Sequence, residues 1–178
     1  MKMLSRYSSQ DLLYIAVLSA MGFAIKPIVT PLVHLISAPL MIPGGSLAGG
    51  FYMMWLALAV AIVNKPGAAF LVGLVQAIVM ISLGFFGSHG AVSLISYTLP
   101  GISAELAAFL FRKKDSVEAQ TAICTSANVT GAFIVTLLIM RLAFIPMMIS
   151  LIAAAVSGIT GGIISYLLLK KLKKYRII

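Results

Sequence analysis

The sequence is poor in charged residues and in cysteine, and both shortages restrict what the chain can be. Charged residues make up 10% of its 178 residues, whereas a soluble domain carries about a quarter. The single cysteine, Cys124, excludes an internal disulfide framework and a cysteine-based zinc site. Hydrophobic residues account for 61% of the chain, and the mean hydropathy is +1.11. We therefore interpret the chain as an integral membrane protein that is surrounded by lipid.

Motifs of the common catalytic sites are absent as well. No G-x-x-x-x-G-K-[ST] segment occurs, so the chain is not expected to hydrolyse ATP itself. No H-E-x-x-H motif occurs, and the two histidines lie in different predicted loops. The segment "GISAE" (101–105) lacks the glycine that would complete a hydrolase nucleophile elbow. We expect no enzymatic activity, no cofactor and no metal site.

Long apolar segments dominate what is present. A membrane-spanning helix needs about 20 apolar residues, and the charged and turn residues divide the chain into six such segments. This pattern predicts an all-α integral membrane protein, a single six-helix domain over residues 1–178. The predicted spans are approximately Ser9–Ile28, Ser46–Val63, Pro66–Phe85, Ala91–Phe111, Thr121–Met140 and Phe144–Leu169.

Basic residues are distributed unequally between the two sides of this arrangement. Six spans place both termini on one side, and all 13 lysines and arginines except Lys26 and Arg141 fall there. Because basic residues concentrate on the cytoplasmic side, the N- and C-termini are predicted to be cytoplasmic. The net charge of +9 is then explained by membrane orientation, and no nucleic-acid partner is expected. Asp11, which follows the basic start, argues against a cleavable signal peptide.

The first connection is long and rich in proline. Residues 27–45 read "PIVTPLVHLISAPLMIPGG", with prolines at 27, 31, 39 and 43. Four prolines so close together are predicted to exclude a regular helix. Irregular backbone at membrane depth persists where it is buried in protein or lines a cavity. We interpret the segment as an extracytoplasmic loop that covers a site as a lid; the alternative is an interfacial connector without function.

A stripe of small residues runs along the first span. Ala16, Ala20 and Ala24 are four residues apart and share one helical face. In lipid, helices associate through close backbone approach, which small residues permit. The stripe therefore predicts a helix–helix contact, either with another protein or within this chain.

Taken together, these features resemble a known family. The six spans, the basic cytoplasmic side, the long first loop and the Ala-x-x-x-Ala pattern resemble the substrate-binding S-components of energy-coupling factor (ECF) vitamin transporters. The resemblance extends over essentially the whole chain. The segments "NKPGAA" (64–69) and "SAELAAFL" (103–110) are most similar to the branch that handles thiamine or its pyrimidine precursor.

This resemblance implies a function and a set of partners. The chain would capture a small vitamin-like solute outside a bacterial plasma membrane. It would dock through Ala16, Ala20 and Ala24 onto a transmembrane T-component that is coupled to two ATPase subunits. The alternative is a non-transport assembly or signalling subunit in which the alanine stripe is a dimer seam.

Three polar residues within the spans are candidates for ligand binding. Polar groups inside a bilayer are costly and are presumed functional or paired. Gln76 and Asn128 both donate and accept hydrogen bonds, as a nitrogen heterocycle requires, although each also suits a bridge between helices. Glu105 is an acidic residue in the interior of the fourth predicted span, and it either contacts the ligand or makes a structural hydrogen bond. The resemblance to the thiamine branch implies acidic residues for a cationic thiazolium; their scarcity here puts thiamine itself in doubt and leaves a neutral pyrimidine precursor or another small heterocycle open.

Further candidates lie toward the predicted outer side. Ser93 and Tyr97 share a face at the mouth of the fourth span, beside His89, and would form a stacking and hydrogen-bonding wall. Trp55 is expected to face the same cavity with Tyr52, and ordinary packing is its alternative. His34 would reach the site from the proline-rich segment. Arg141 would meet an anionic group or extend to the interface.

Overall fold

The computed structural model describes residues 6–39, 42–82 and 93–176, and the regular secondary structure in these ranges is helical, without a strand. Four segments in these ranges are long and apolar enough to cross a membrane: Ser9–Ser37, Gly44–Val63, Val117–Ile139 and Phe144–Lys174. The elements are α1 (Ser9–Ala24), α2 (Lys26–Ser37), α3 (Gly44–Val63), α4 (Ala68–Ser82), α5 (Ser93–Phe109), α6 (Val117–Ile134), a π-helix (Val135–Ile139) and α7 (Phe144–Lys174).

The start of α1 is fixed by local hydrogen bonds and by the turn between α3 and α4. Ser8 caps the helix: its hydroxyl accepts from the Asp11 amide at 3.2 Å, and the Asp11 carboxylate accepts from the Ser8 amide at 2.7 Å. Asp11 also forms an ion pair with Lys65. The Tyr7 hydroxyl donates to the Pro66 carbonyl at 2.6 Å. The "NKPG" turn (64–67), which is distant in sequence, thereby holds the beginning of α1.

The prediction of an irregular first connection was wrong over residues 26–37, where the chain forms α2. Pro27 occupies the first turn of this helix, where a backbone N–H has no intrahelical partner to lose. Pro31 lies inside the helix and removes one intrahelical hydrogen bond. Since α2 packs against α3, tertiary contact offsets that loss. Pro43 lies at the N-cap of α3, outside both helices.

Helix α3 lies at the centre of the bundle, and it packs against α1, α2, α4, α6 and α7. Small residues permit the close approach of α3 and α7. A Cβ atom added to Gly161 of α7 would lie 2.6 Å from the Cα atom of Gly50. The Ser157 hydroxyl reinforces this contact, because it donates to the Leu47 carbonyl at 2.6 Å and accepts from the Gly50 amide at 3.0 Å. The two backbones are thus in direct contact.

The remaining helices agree with the predicted spans except near their ends. Helix α6 begins at Val117, within the segment 112–120 that was predicted to be a loop, because Ser116 caps it by accepting from the Ala119 amide at 3.2 Å. In the preceding turn Asp115 accepts from Lys173 at 2.6 Å, and this hydrogen bond holds the pKa of Asp115 below its usual value. Residues 84–90, which were predicted to close the third span, lie outside the described ranges.

Candidate functional site

A cavity of about 340 Å³ lies among α2, α3, α4, α5, α6 and the π-helix. This volume is within the range of small-molecule sites in proteins. Glycine and apolar side chains form much of its wall, among them Gly49, Gly131 and Met53. Polar groups enter it from five helices. They belong to Lys26, Thr30, His34, Ser46, Tyr52, Gln76, Ser96, Tyr97 and Asn128.

One face of α2 contributes three of these residues. Lys26, Thr30 and His34 are four residues apart, so their side chains share that face. The Lys26 ammonium donates to the Tyr97 hydroxyl at 2.8 Å and lies 3.9 Å from the centroid of the Tyr97 ring. Thr30 and Tyr52 share a hydrogen bond of 2.9 Å between their hydroxyls. Helix α2 therefore joins a cation to two tyrosines at one end of the cavity.

Asn128 reaches the cavity from α6, and it is held on both sides. Its Nδ2 atom donates to the Ala154 carbonyl of α7 at 2.7 Å. On the other side its amide lies against Gly49 of α3, where an added Cβ atom would come 2.9 Å from Nδ2 and closer still to Oδ1. The residue is 2% exposed. The amide is consequently fixed in position before any ligand binds.

Two buried polar atoms at the cavity have no hydrogen-bond partner among the described residues. They are the Ser46 hydroxyl and the Gln76 Nε2 atom, in residues 1% and 3% exposed. Gln76 is packed against Gly22 of α1, which has no side chain to occupy that space. An unsatisfied buried donor costs about 1–3 kcal/mol. Both residues also line the cavity.

Two candidate residues lie outside the cavity wall. Glu105 is 8% exposed, and its Oε1 atom accepts from the Ala69 amide in the first turn of α4 at 2.7 Å. A carboxylate at a helix N-terminus satisfies a backbone donor that has no intrahelical partner. Trp55 is buried against Gly22, and its Nε1 atom has no partner among the described residues. Glu105 therefore makes a structural hydrogen bond, which was one of the two alternatives predicted for it; ligand contact was the other.

Of the eight predicted ligand-binding residues, the structure brings four together. His34, Gln76, Tyr97 and Asn128 line the same cavity. His89 lies outside the described residues, as does the side chain of Ser93. Arg141, at the end of the π-helix, is exposed and adopts a left-handed backbone conformation with φ of 47°.

Sequence reasoning did not assign Lys26, Thr30 or Ser46 to the site. Lys26 was used only for membrane orientation, although a charge within an apolar segment is itself a sign of function. The spacing of Lys26, Thr30 and His34 becomes informative once the segment is recognised as a helix. The assumption that four prolines exclude a helix concealed this pattern.

The alanine stripe lies on the outer surface of α1. Ala16, Ala20 and Ala24 are exposed, whereas Ile15, Leu18, Ser19 and Gly22 form the buried face of the same helix. Larger apolar residues border the stripe, and Val17 and Met21 are 50% and 48% exposed. Helix α1 therefore presents a shallow apolar surface that its own bundle does not cover.

The helical bundle and its cavity define a membrane protein with a candidate small-molecule site. Residues 10–133 match the model of the family described as the permease component of an ABC-type cobalt transport system. This match spans more than half of the 178 residues, and the chain belongs to that family. It is accordingly a membrane component of an ABC-type transport system. No curated protein and no solved structure matches the chain.

Proposed function

We propose that the chain is the substrate-binding S-component of an ECF-type importer in a bacterial plasma membrane, where it captures a small vitamin or vitamin precursor. The observation that carries this proposal is the cavity, in which fixed amides and tyrosines meet inside an apolar helical bundle of a transport family. Both termini are cytoplasmic in this proposal. The chain has no catalytic activity, and its energy comes from partner subunits.

The chemistry of the cavity favours a flat nitrogen heterocycle. Asn128 and Gln76 offer amides that pair with ring nitrogens and amino groups, and Tyr52 and Tyr97 supply aromatic surfaces. No carboxylate is among the side chains that line the cavity, while Lys26 places a cation there. Within the thiamine-related class, this favours the pyrimidine half of thiamine over the cationic thiazolium half.

The proposed partners are a T-component and two ATPase subunits. The exposed alanine stripe on α1 supports docking, since its small side chains permit another helix to approach closely. The same surface also fits a dimer seam in an assembly or signalling subunit. The two functions differ in whether the chain joins an ATP-driven module.

A second candidate substrate is a cobalt ion, because the description of the family names cobalt. Among the described residues, no group of three or more histidine, cysteine, aspartate or glutamate side chains is placed to hold a metal ion. Of the described residues of these four types, His34 is the one that lines the cavity. The Lys26 ammonium would repel a divalent cation, so we favour the organic solute.

The experiment is to purify the full chain under gentle conditions and to identify any co-purifying solute by native mass spectrometry. Uptake of labelled hydroxymethylpyrimidine, its monophosphate, nicotinate, thiamine and Co²⁺ is then measured in cells with and without the chain. We expect a bound heterocycle, ATP-dependent uptake and co-purification with a T-component. Uptake of Co²⁺ alone would favour the second candidate. A chain that dimerises and transports none of these solutes would contradict the proposal.

A further inference from the structure

The acidic residues of the chain are all placed away from the cavity. The sequence contains four of them. Asp11 pairs with Lys65, Asp115 pairs with Lys173, and Glu105 accepts from the Ala69 amide. Glu118 is exposed in the first turn of α6. None of the four is among the residues that line the cavity.

Lys26 is therefore a cation in the cavity wall without a carboxylate beside it. Its ammonium lies 2.8 Å from the Tyr97 hydroxyl and 3.9 and 5.8 Å from the ring centroids of Tyr97 and Tyr52. Tyrosine faces attract a cation but do not neutralise it. An ammonium within apolar surroundings is costly unless it is paired. An anion bound in the cavity would supply such a partner.

Further hydrogen-bond donors share the cavity wall with Lys26. Thr30 and His34 follow Lys26 on the same face of α2. The buried Ser46 hydroxyl, which has no partner among the described residues, also lines this cavity. Hydroxyl and imidazole N–H groups donate to the oxygens of a carboxylate or phosphate. The amides of Asn128 and Gln76 enter from α6 and α4, where the uncharged part of the same ligand would lie.

We propose that the ligand of this cavity carries a negatively charged group, a carboxylate or a phosphate, that is held by the Lys26 ammonium. The inference rests on the proposed function and narrows its substrate to an anionic heterocycle. It excludes a solute whose charge is only positive. We assign the anionic group to a soluble molecule rather than to a lipid headgroup, since polar side chains from five helices line the cavity well beyond Lys26.

The test compares molecules that differ in charge. Full-length protein in phosphatidylcholine nanodiscs is titrated with three pairs: hydroxymethylpyrimidine and its monophosphate, nicotinamide and nicotinate, and thiamine and thiamine monophosphate. Affinity is measured by calorimetry, and stabilisation is measured by thermal unfolding. At least one anionic member is expected to bind about tenfold tighter than its uncharged or cationic partner, since hydrogen bonds to charged groups are the stronger class.

Three variants assign this preference to Lys26. Lys26→Met is expected to lose the tenfold preference, while Lys26→Arg retains it. Lys170→Met removes the same charge from an exposed position on α7 and is expected to change nothing. Thermal unfolding without ligand verifies that each variant is folded. If Lys26→Met does not fold, Lys26→Gln takes its place. The ratio of affinities for the anionic and the neutral or cationic member of each pair, measured for the wild type and Lys26→Arg, also tests the inference.

Several results would overturn the inference. They are equal or tighter binding of the neutral or cationic members, an anion preference that survives Lys26→Met, and stabilisation by no anion at all. A second series in nanodiscs containing phosphatidylglycerol identifies a lipid headgroup as the occupant if that lipid stabilises the protein and displaces the soluble anions. ATP-driven uptake of a neutral heterocycle would contradict the proposed anionic ligand but support the proposed importer function. Anion binding by a chain that joins no ATP-driven module would support the anionic ligand but contradict the importer function.

Discussion

The amide of Asn128 on α6 occupies the space that a side chain at Gly49 on α3 would fill. The same amide donates to the Ala154 carbonyl of α7 at 2.7 Å. Three helices thus meet at one side chain, which also faces the cavity. A binding group that is fixed in this way loses little conformational entropy when a ligand binds.

We expect Gly49→Ala to weaken ligand binding by displacing this amide. The added methyl group would overlap Asn128, and overpacking of this kind costs about 1–3 kcal/mol. Both the melting temperature and the affinity for the tightest-binding heterocycle of the panel should fall. Gly45→Ala is the control, because Gly45 also lines the cavity but an added Cβ would have no atom within 4 Å. Equal effects of the two substitutions would contradict this role of Asn128.

Gln76 and Gln120 provide a matched pair of buried glutamines. Gln120 donates to the carbonyls of Ala57 at 3.1 Å and Lys114 at 2.8 Å, and it accepts from the Ser165 hydroxyl. The Nε2 atom of Gln76 has no partner in the described part of the chain. Methionine is close to glutamine in length and removes the amide from either position.

Gln76→Met is expected to leave the ligand-free melting temperature unchanged or to raise it, since it deletes an unsatisfied donor. The affinity for the heterocycle should fall about tenfold, the value of one hydrogen bond of about 1.4 kcal/mol. Gln120→Met should instead destabilise the protein by about 1–3 kcal/mol, because it leaves partners unpaired. Calorimetry and thermal unfolding of both variants measure this contrast. Destabilisation by Gln76→Met with unchanged affinity would identify Gln76 as a helix bridge.

Glu105 is expected to act on stability rather than on binding. Its carboxylate accepts from the Ala69 amide at the start of α4, and the loss of such a cap costs about 0.5–2 kcal/mol. Glu105→Ala should therefore lower the melting temperature and leave the affinity of the folded protein unchanged. Glu105→Gln, which keeps an acceptor oxygen, should recover part of the stability. An affinity that falls with an unchanged melting temperature would place Glu105 in the ligand site instead.

The positions of the long apolar helices were largely predictable because the thickness of a bilayer fixes the length of a membrane-spanning helix. The prediction Ser46–Val63 differs from α3 by two residues at its start, and α7 begins at Phe144 as expected. Helix α2 was missed because rules for proline are local. Pro27 is harmless in a first turn, and contact with α3 compensates for Pro31, which no local rule can anticipate.

The site was predictable in part for a similar reason. Gln76 and Asn128 are conspicuous as polar residues in apolar segments, and both reach the cavity. Glu105 is equally conspicuous, yet it caps α4. Whether such a polar side chain lines the cavity or caps a helix depends on what packs beside it. That packing is between segments distant in sequence. Lys26 was overlooked because its helix was not recognised.

The exposed stripe on α1 leads to the last prediction, that enlarging it separates binding from transport. In the double variant Ala16→Leu and Ala20→Leu, the new side chains point away from the bundle. The melting temperature and ligand affinity should therefore match the wild type. The added bulk should prevent close approach of a partner helix, so ATP-dependent uptake and co-purification with the T-component should fall at least about tenfold.

Val156→Phe is the control for this variant, because Val156 is 58% exposed on α7, away from the alanine stripe of α1. It should support normal uptake, since extra bulk toward lipid displaces only lipid chains. Normal uptake by the double variant would mean that the stripe contacts lipid. Loss of a homodimer, with no T-component bound by the wild type, would identify a dimer seam. The three outcomes differ because close approach between helices depends on shape, whereas lipid chains adapt to either surface.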